Sequence, residues 1–181
     1  MIPTQYHFLN TIGTLPKLVA ASLQYVGLKE YPGLNNSNPV IMNMAQQLGI
    51  GDIYPNDEVA WCSLYMCYLY LITGKPQPFK EYMILRALQQ RYWGNEVNLN
   101  ECKLGDVMVF QRPEGGHVGL YIAESKNSYH ILGGNQSNSV SFTEIKKERL
   151  VSCRNYYSTA APKSSQKYFI DNLGKVSTNE A

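Results

Sequence analysis

The sequence predicts an α+β fold in which helices from the first half of the chain pack on an antiparallel β-sheet built by the second. Two patterns predict it. Up to about residue 92 the apolar residues recur at helical spacing, and after Asn95 they gather in short runs rich in Val, Ile, Tyr and Phe, punctuated by Gly, Asn, Ser and Pro. Helices first and strands second is the signature of a segregated α+β domain. A third observation sets the scale: 181 residues with 44% hydrophobic and 17% charged side chains suffice for one compact core and are unlike a disordered composition.

Each element follows from local chemistry. Pro16 opens a helix with Leu18, Val19, Ser22, Leu23 and Val26 on one side, closed by Gly27. Residues 30–38 are loop chemistry, after which Asn38-Pro39 reads as an N-cap followed by proline at the first helical position. Ile41, Met44, Ala45 and Leu48 then line a second helix that stops at Gly49. Val59 through Ile72 is apolar nearly all round, with Gly74 and Pro76 beyond it, and so predicts a buried central helix. Asp57 and Glu58 stand where helix-capping and dipole-pairing acids belong. A fourth helix is expected over about 79–92, with Tyr82, Leu85, Leu88 and Tyr92 on one face. The strands are expected at 106–110, 117–122, 129–132, 139–142 and 150–153, the first two joined as a hairpin through 111–116. Residues 1–14 read as an N-terminal extension and 158–181 as a polar tail with Tyr168-Phe169-Ile170 as its one docking anchor.

Composition also excludes. A net charge of +2, with sixteen scattered Lys and Arg, offers no field for nucleic acid. Cys62, Cys67, Cys102 and Cys153 form no zinc-ligand spacing, and free thiols in a reducing compartment are expected. The start, MIPTQYHFLN, has no basic n-region or apolar h-region, so synthesis in the cytoplasm without a Sec signal is expected; no run is long enough to insert in a membrane.

Among the cysteines, Cys62 lies early in the buried helix. Unpaired N–H groups at a helix start favour thiolate over thiol, although a cysteine in an apolar helix is ordinarily packing. Ser63 is a poor nucleophile, because successive helical residues point about 100° apart. Of the histidines, His117 opens a strand after Gly115-Gly116, which leaves room for a ligand, whereas His7 lies near the terminus and His130 alternates within an apolar strand. A thiol–imidazole pair needs a third group to fix the ring tautomer, and Asn135 and Gln136 follow Gly133-Gly134 in the next β segment.

Taken in order, five segments carry a resemblance: Gly27-Leu28-Lys29-Glu30-Tyr31-Pro32-Gly33 with Asn35 and Asn36; Asp57-Glu58-Val59-Ala60-Trp61-Cys62-Ser63; Leu104-Gly105-Asp106-Val107-Met108-Val109-Phe110; Gly116-His117-Val118-Gly119-Leu120-Tyr121; and Leu132-Gly133-Gly134-Asn135-Gln136-Ser137. Over residues 15–157 the chain resembles the papain-like bacterial and phage cell-wall hydrolases related to the CHAP and NlpC-type cysteine amidases and peptidases. The resemblance implies a catalytic domain over 15–157 with Cys62 as nucleophile and His117 as general base and acid. Asn135 matches the polar residue that orients the histidine, with Gln136 as its substitute. The glutamate that many CHAP enzymes carry two residues earlier is replaced here by Gly133. Glu58, Trp61 and Gln136 become candidates for substrate contact, and no cofactor or metal is implied.

The activity implied is hydrolysis of a peptidoglycan amide, either the N-acetylmuramoyl-L-alanine bond or one within the stem peptide or cross-bridge. Such an enzyme would act on the wall as a monomer, after release through a holin, injection with a virion, or secretion. A phage endolysin or virion lysin is the first expectation. The alternatives are an antibacterial effector amidase with a cognate immunity protein, a non-catalytic wall-binding or virion component, and papain-like chemistry on protein.

Overall fold

The computed structural model describes residues 1–33, 36–171, 176–178 and 180. Asn35 of the first motif, Leu34, and residues 172–175, 179 and 181 of the tail lie outside the described residues. The α-helices α1 (Lys17–Leu23), α2 (Pro39–Gln47) and α3 (Cys62–Ile72) precede the strands β1 (Asn95–Val97), β2 (Val107–Arg112), β3 (Gly115–Glu124), β4 (Ser128–Gly133), β5 (Ser141–Lys146), β6 (Leu150–Asn155) and β7 (Val176–Ser177). The strands form one sheet in the order β1-β6-β2-β3-β4-β5-β7. The chain is therefore α+β, as its pattern predicts.

α2 starts where the sequence places it. Asn38 Oδ1 accepts the Val40 N–H at 2.9 Å, while Asn38 Nδ2 donates to the Lys29 carbonyl at 2.6 Å, so one side chain caps the helix and holds the preceding loop. α3 begins three residues later than its apolar run, at Cys62, with Trp61 as N-cap and no acidic residue in its first turn. The capping role expected of Asp57 and Glu58 is therefore corrected. Asp57 is buried, and its Oδ2 instead accepts the N–H groups of Tyr31 at 3.0 Å and Asn38 at 2.7 Å, tying the 31–38 loop beneath the helix start. Glu58 is exposed.

The helix expected over 79–92 is also corrected. Two 3-10 segments, Glu81–Leu85 and Ala87–Tyr92, stand there, separated by Arg86 in extended conformation. The buried residues are Ile84 in the first segment and Ala87 and Gln90 in the second, whereas Tyr82 and Tyr92 are exposed. Within the second segment Ala87 and Gln90, three apart, fall on one side as three residues per turn require.

β2 and β3 form the expected hairpin, with Phe110 opposite His117 and Arg112 opposite Gly115. The sheet is not wholly antiparallel, since β7 pairs parallel to β5. Its two faces alternate along each strand. Val107, Val109, Val118, Leu120, Ile122 and Leu132 pack with α1, α2 and α3 in the larger core, and Met108, Phe110, Tyr121, Tyr129 and Ile131 pack on the opposite face. The first residues contribute to the larger core through Tyr6 and Leu9, with the Tyr6 ring stacked on Phe142 at 4.1 Å between centroids. The tail docks beside its expected anchor, where the Ile170 N–H reaches the Glu124 carbonyl at 3.0 Å.

The start of α3 sits directly on the turn after β4. A Cβ on Gly134 would lie 2.7 Å from Trp61 Cζ3 and 2.8 Å from Tyr65 Cβ, so this close approach requires glycine. Gly134→Ala should cost about 1–3 kcal/mol in urea unfolding, the usual penalty for overpacking a filled interior. An unchanged unfolding midpoint and slope would contradict this packing.

Candidate functional site

Cys62 is the first residue of α3 and is 3% exposed. Its sulfur accepts the backbone N–H of Val118 and faces the N–H groups of Cys62 and Ser63 at the helix start. Val118 is free to serve it because pairing between β4 and β3 stops at Leu120 opposite Leu132. Beyond Gly133, β4 turns away. The helix start was expected to lower the thiol pKa, but the structure corrects that expectation: burial raises it, and the backbone donors and the Arg112 charge offset only part of the cost.

His117 is fully buried on β3, one residue before Val118. Strand alternation sends its ring to the face opposite the Val118 side chain, where its Nε2 donates to Gln136 Oε1 at 3.0 Å. That assignment follows from the amide oxygen, which only accepts. It leaves Nδ1 as the acceptor nitrogen, and Nδ1 has no hydrogen-bond partner. The thiol and the ring are thus brought to the same end of β3 without being hydrogen-bonded to each other.

Of the two amides, Gln136 and not Asn135 is hydrogen-bonded to the ring. Gln136 is held by its own amide, which donates to the carbonyls of Ile131 and Ser141. Asn135 instead provides backbone conformation, at φ 55° in a turn that continues through Ser137 at 51° and Asn138 at 59°. Asn tolerates this left-handed region better than most residues. Trp61 is a fully buried wall, its Nε1 donating to Glu30 Oε2 at 3.0 Å. Neither Trp61 nor Glu58 lines the cleft beside Cys62.

Sequence reasoning missed a further group. Glu180, in the tail, is buried, and its carboxylate takes a two-pronged ion pair from Arg149 at 2.7 Å for each contact. Its carbonyl accepts the Ser137 N–H at 2.8 Å, next to Gln136. Burial opposes ionisation of Glu180, but the Arg149 fork and nearby His117 outweigh it and hold the carboxyl below its usual range. No spacing rule links position 180 to position 117. The tail's polar composition gave no signal.

The other candidates sit elsewhere. His130 Nδ1 pairs with the Tyr6 hydroxyl at 2.9 Å, and exposed His7 contacts the Ile2 carbonyl. Ser63 accepts from buried Gln90 Nε2 at 2.9 Å, which also reaches Cys67 Sγ at 3.2 Å. Cys102 and Cys153 pack on the opposite sheet face, and all four cysteines are free. Among the described residues no group of His, Cys, Asp and Glu is placed to hold a metal ion, and no helix is long and apolar enough to cross a membrane.

Burial pushes the His117 pKa down to about 4, against the Glu180 charge and the Gln136 hydrogen bond, which raise it. A histidine lowered on folding binds fewer protons than its unfolded counterpart between its two pKa values, so stability falls as pH drops from about 6.5 toward 4. The difference in unfolding free energy between the protein and His117→Gln should follow that course. In an NMR titration, Glu180→Gln should lower the His117 pKa further by removing the favourable charge. A His117 titrating at its ordinary value would contradict the buried arrangement.

Compared with known proteins, the chain matches no protein-family model and no curated protein.

Proposed function

We propose that the chain is a cysteine-dependent hydrolase of a peptidoglycan amide, built on a papain-like arrangement over residues 15–157. The observation that carries the reading is the hydrogen bond between His117 and Gln136. Gln136 holds the Nε2 proton, leaving Nδ1 as a buried free acceptor one residue from the N–H that binds the Cys62 sulfur. A base with a fixed tautomer and a thiol at a helix start, at the same end of one strand, are the two groups that nucleophilic catalysis requires.

The chemistry then follows. Nδ1 takes the Cys62 proton as the sulfur attacks the carbonyl carbon, and N–H groups at the start of α3 stabilise the tetrahedral oxyanion. The imidazolium protonates the departing amine as the C–N bond breaks, leaving a thioester. Nδ1 next takes a proton from water, whose oxygen attacks the thioester, and the thiolate leaves and is reprotonated. The resting thiol and imidazole are both held neutral by burial, and the missing step is their approach across the start of β3. Catalytic hydrogen bonds commonly tighten only with substrate bound.

A second reading, a wall-binding or virion component without turnover, draws on one observation: Cys62 is 3% exposed with a raised pKa. The two readings part in a single assay. Purified peptidoglycan is incubated with the protein, Cys62→Ala, His117→Ala and Gln136→Ala, and released fragments are identified by mass spectrometry. The hydrolase reading expects new amino termini with the protein, none with the Cys62 and His117 variants, and a roughly 100-fold slower release with Gln136→Ala, the scale of a misplaced catalytic group. Asn135→Ala should lose far less than Gln136→Ala. Binding of the wall by every variant, with release by none, would establish the second reading. Delivery to the wall by holin, virion or secretion belongs to the proposal, with a phage lysin preferred.

A further inference from the structure

Resting on that reading, we propose that the cleft beside Cys62 selects a peptide bearing a free carboxylate close to the scissile amide, with Arg112 as the residue that reads it. The cleft encloses about 390 Å³, within the range of small-ligand sites, and Cys62 lies in its wall. Ala60, Leu85 and Leu88 give it apolar lining, while Arg86, Arg91 and Arg112 give it charge. Glu114 is the acidic residue among its described lining, so two positive charges remain uncompensated. The whole chain carries a net charge of only +2, which makes this concentration local to the site.

None of the three guanidinium groups is spent on an ion pair among the described residues. Arg86 and Arg91 lie over the rings of Tyr82 and Tyr92 at 5.1 and 5.0 Å, which steadies each guanidinium by its face and leaves its donor edge free. Arg112 ends β2, opposite Gly115 at the head of the hairpin, and its charge acts on both the Cys62 thiol and the His117 ring. Arg112 and Cys62 line the same cleft, so a carboxylate held by Arg112 would lie in the space that the Cys62 sulfur borders. The planar fork of a guanidinium matches a carboxylate with two parallel hydrogen bonds, and the small size and two-charge excess suit one such group better than a polyanion.

The test separates binding from turnover by using Cys62→Ala throughout. Calorimetry compares the tetrapeptide acetyl-L-Ala-γ-D-Glu-L-Lys-D-Ala with the same peptide carrying a carboxamide in place of the glutamate α-carboxylate. The acid should bind about tenfold more tightly or better, Arg112→Gln in the same background should abolish the preference, and Arg112→Lys should keep part of it. Equal affinities, no measurable binding of either peptide, or a preference that survives Arg112→Gln overturns the proposal. Turnover of the same peptides by the unmodified protein reports on the hydrolase reading separately. Selective binding without cleavage would refute hydrolysis of this peptide while leaving the assignment of Arg112 in place.

Discussion

The contact on which the site depends is the seating of α3 on the turn that follows β4. Gly134 lets Trp61 and Tyr65 come down onto the main chain, at distances a Cβ would occupy. That seating places the first turn of α3, with Cys62, over the start of β3. It also coincides with the point where β4 leaves the sheet, so that the Val118 N–H is available to the sulfur rather than to a neighbouring strand. The same turn then carries Gln136 back to His117 on the other side of β3. One glycine-rich turn thus sets both the position of the thiol and the tautomer of the ring.

Burial gives this arrangement its electrostatic character. The low-dielectric surroundings raise the thiol and lower the imidazole, so neutral forms are favoured on both sides. A neutral resting pair is stable but unreactive, and proton transfer becomes favourable only when the two groups meet and the charges they generate are compensated. The structure supplies such compensation from several directions. N–H groups face the sulfur, the Gln136 oxygen faces the ring, and Glu180, anchored by Arg149, adds a negative charge to the surroundings of His117. The parallel strand β7 and the Ser137 contact bring that glutamate into place from the far end of the chain.

Much of the frame was legible because its signals are local. Asn38-Pro39 is a cap that works through its own backbone neighbours, and the short apolar runs set off by Gly, Asn, Ser and Pro locate β2, β3, β4 and β6, while β5 at Ser141–Lys146 begins two residues after the expected 139–142 and runs four beyond it. The 79–92 segment misled because Tyr82, Leu85, Leu88 and Tyr92 fit a 3.6-residue period that the fold does not use. The chain is broken at Arg86, and its buried set is Ile84 in one 3-10 segment with Ala87 and Gln90 in the next. β1 and β7, at three and two residues, are too short to show alternation and exist through their partners β6 and β5. Within the site, Cys62 and His117 could be singled out by position, but the choice between Asn135 and Gln136 is made by the turn. A left-handed backbone at Asn135 leaves the next residue to reach the ring, and adjacent amides cannot be ranked from sequence alone. Asp57 shows the same limit, since an acid near a helix start looks like a cap until its loop partners, Tyr31 and Asn38, are in place.

The central claim is that His117 activates Cys62. It is tested most directly by the rate at which Cys62 becomes labelled as a thioester when peptidoglycan is added at neutral pH and the reaction is quenched with acid, read by mass spectrometry of the labelled peptide, in the protein and in His117→Gln. The account predicts that Cys62 is labelled at least tenfold more slowly when the imidazole is absent, with Gln136→Ala falling between the two. Equal rates in all three would contradict it, showing a buried thiol that owes nothing to the ring beside it.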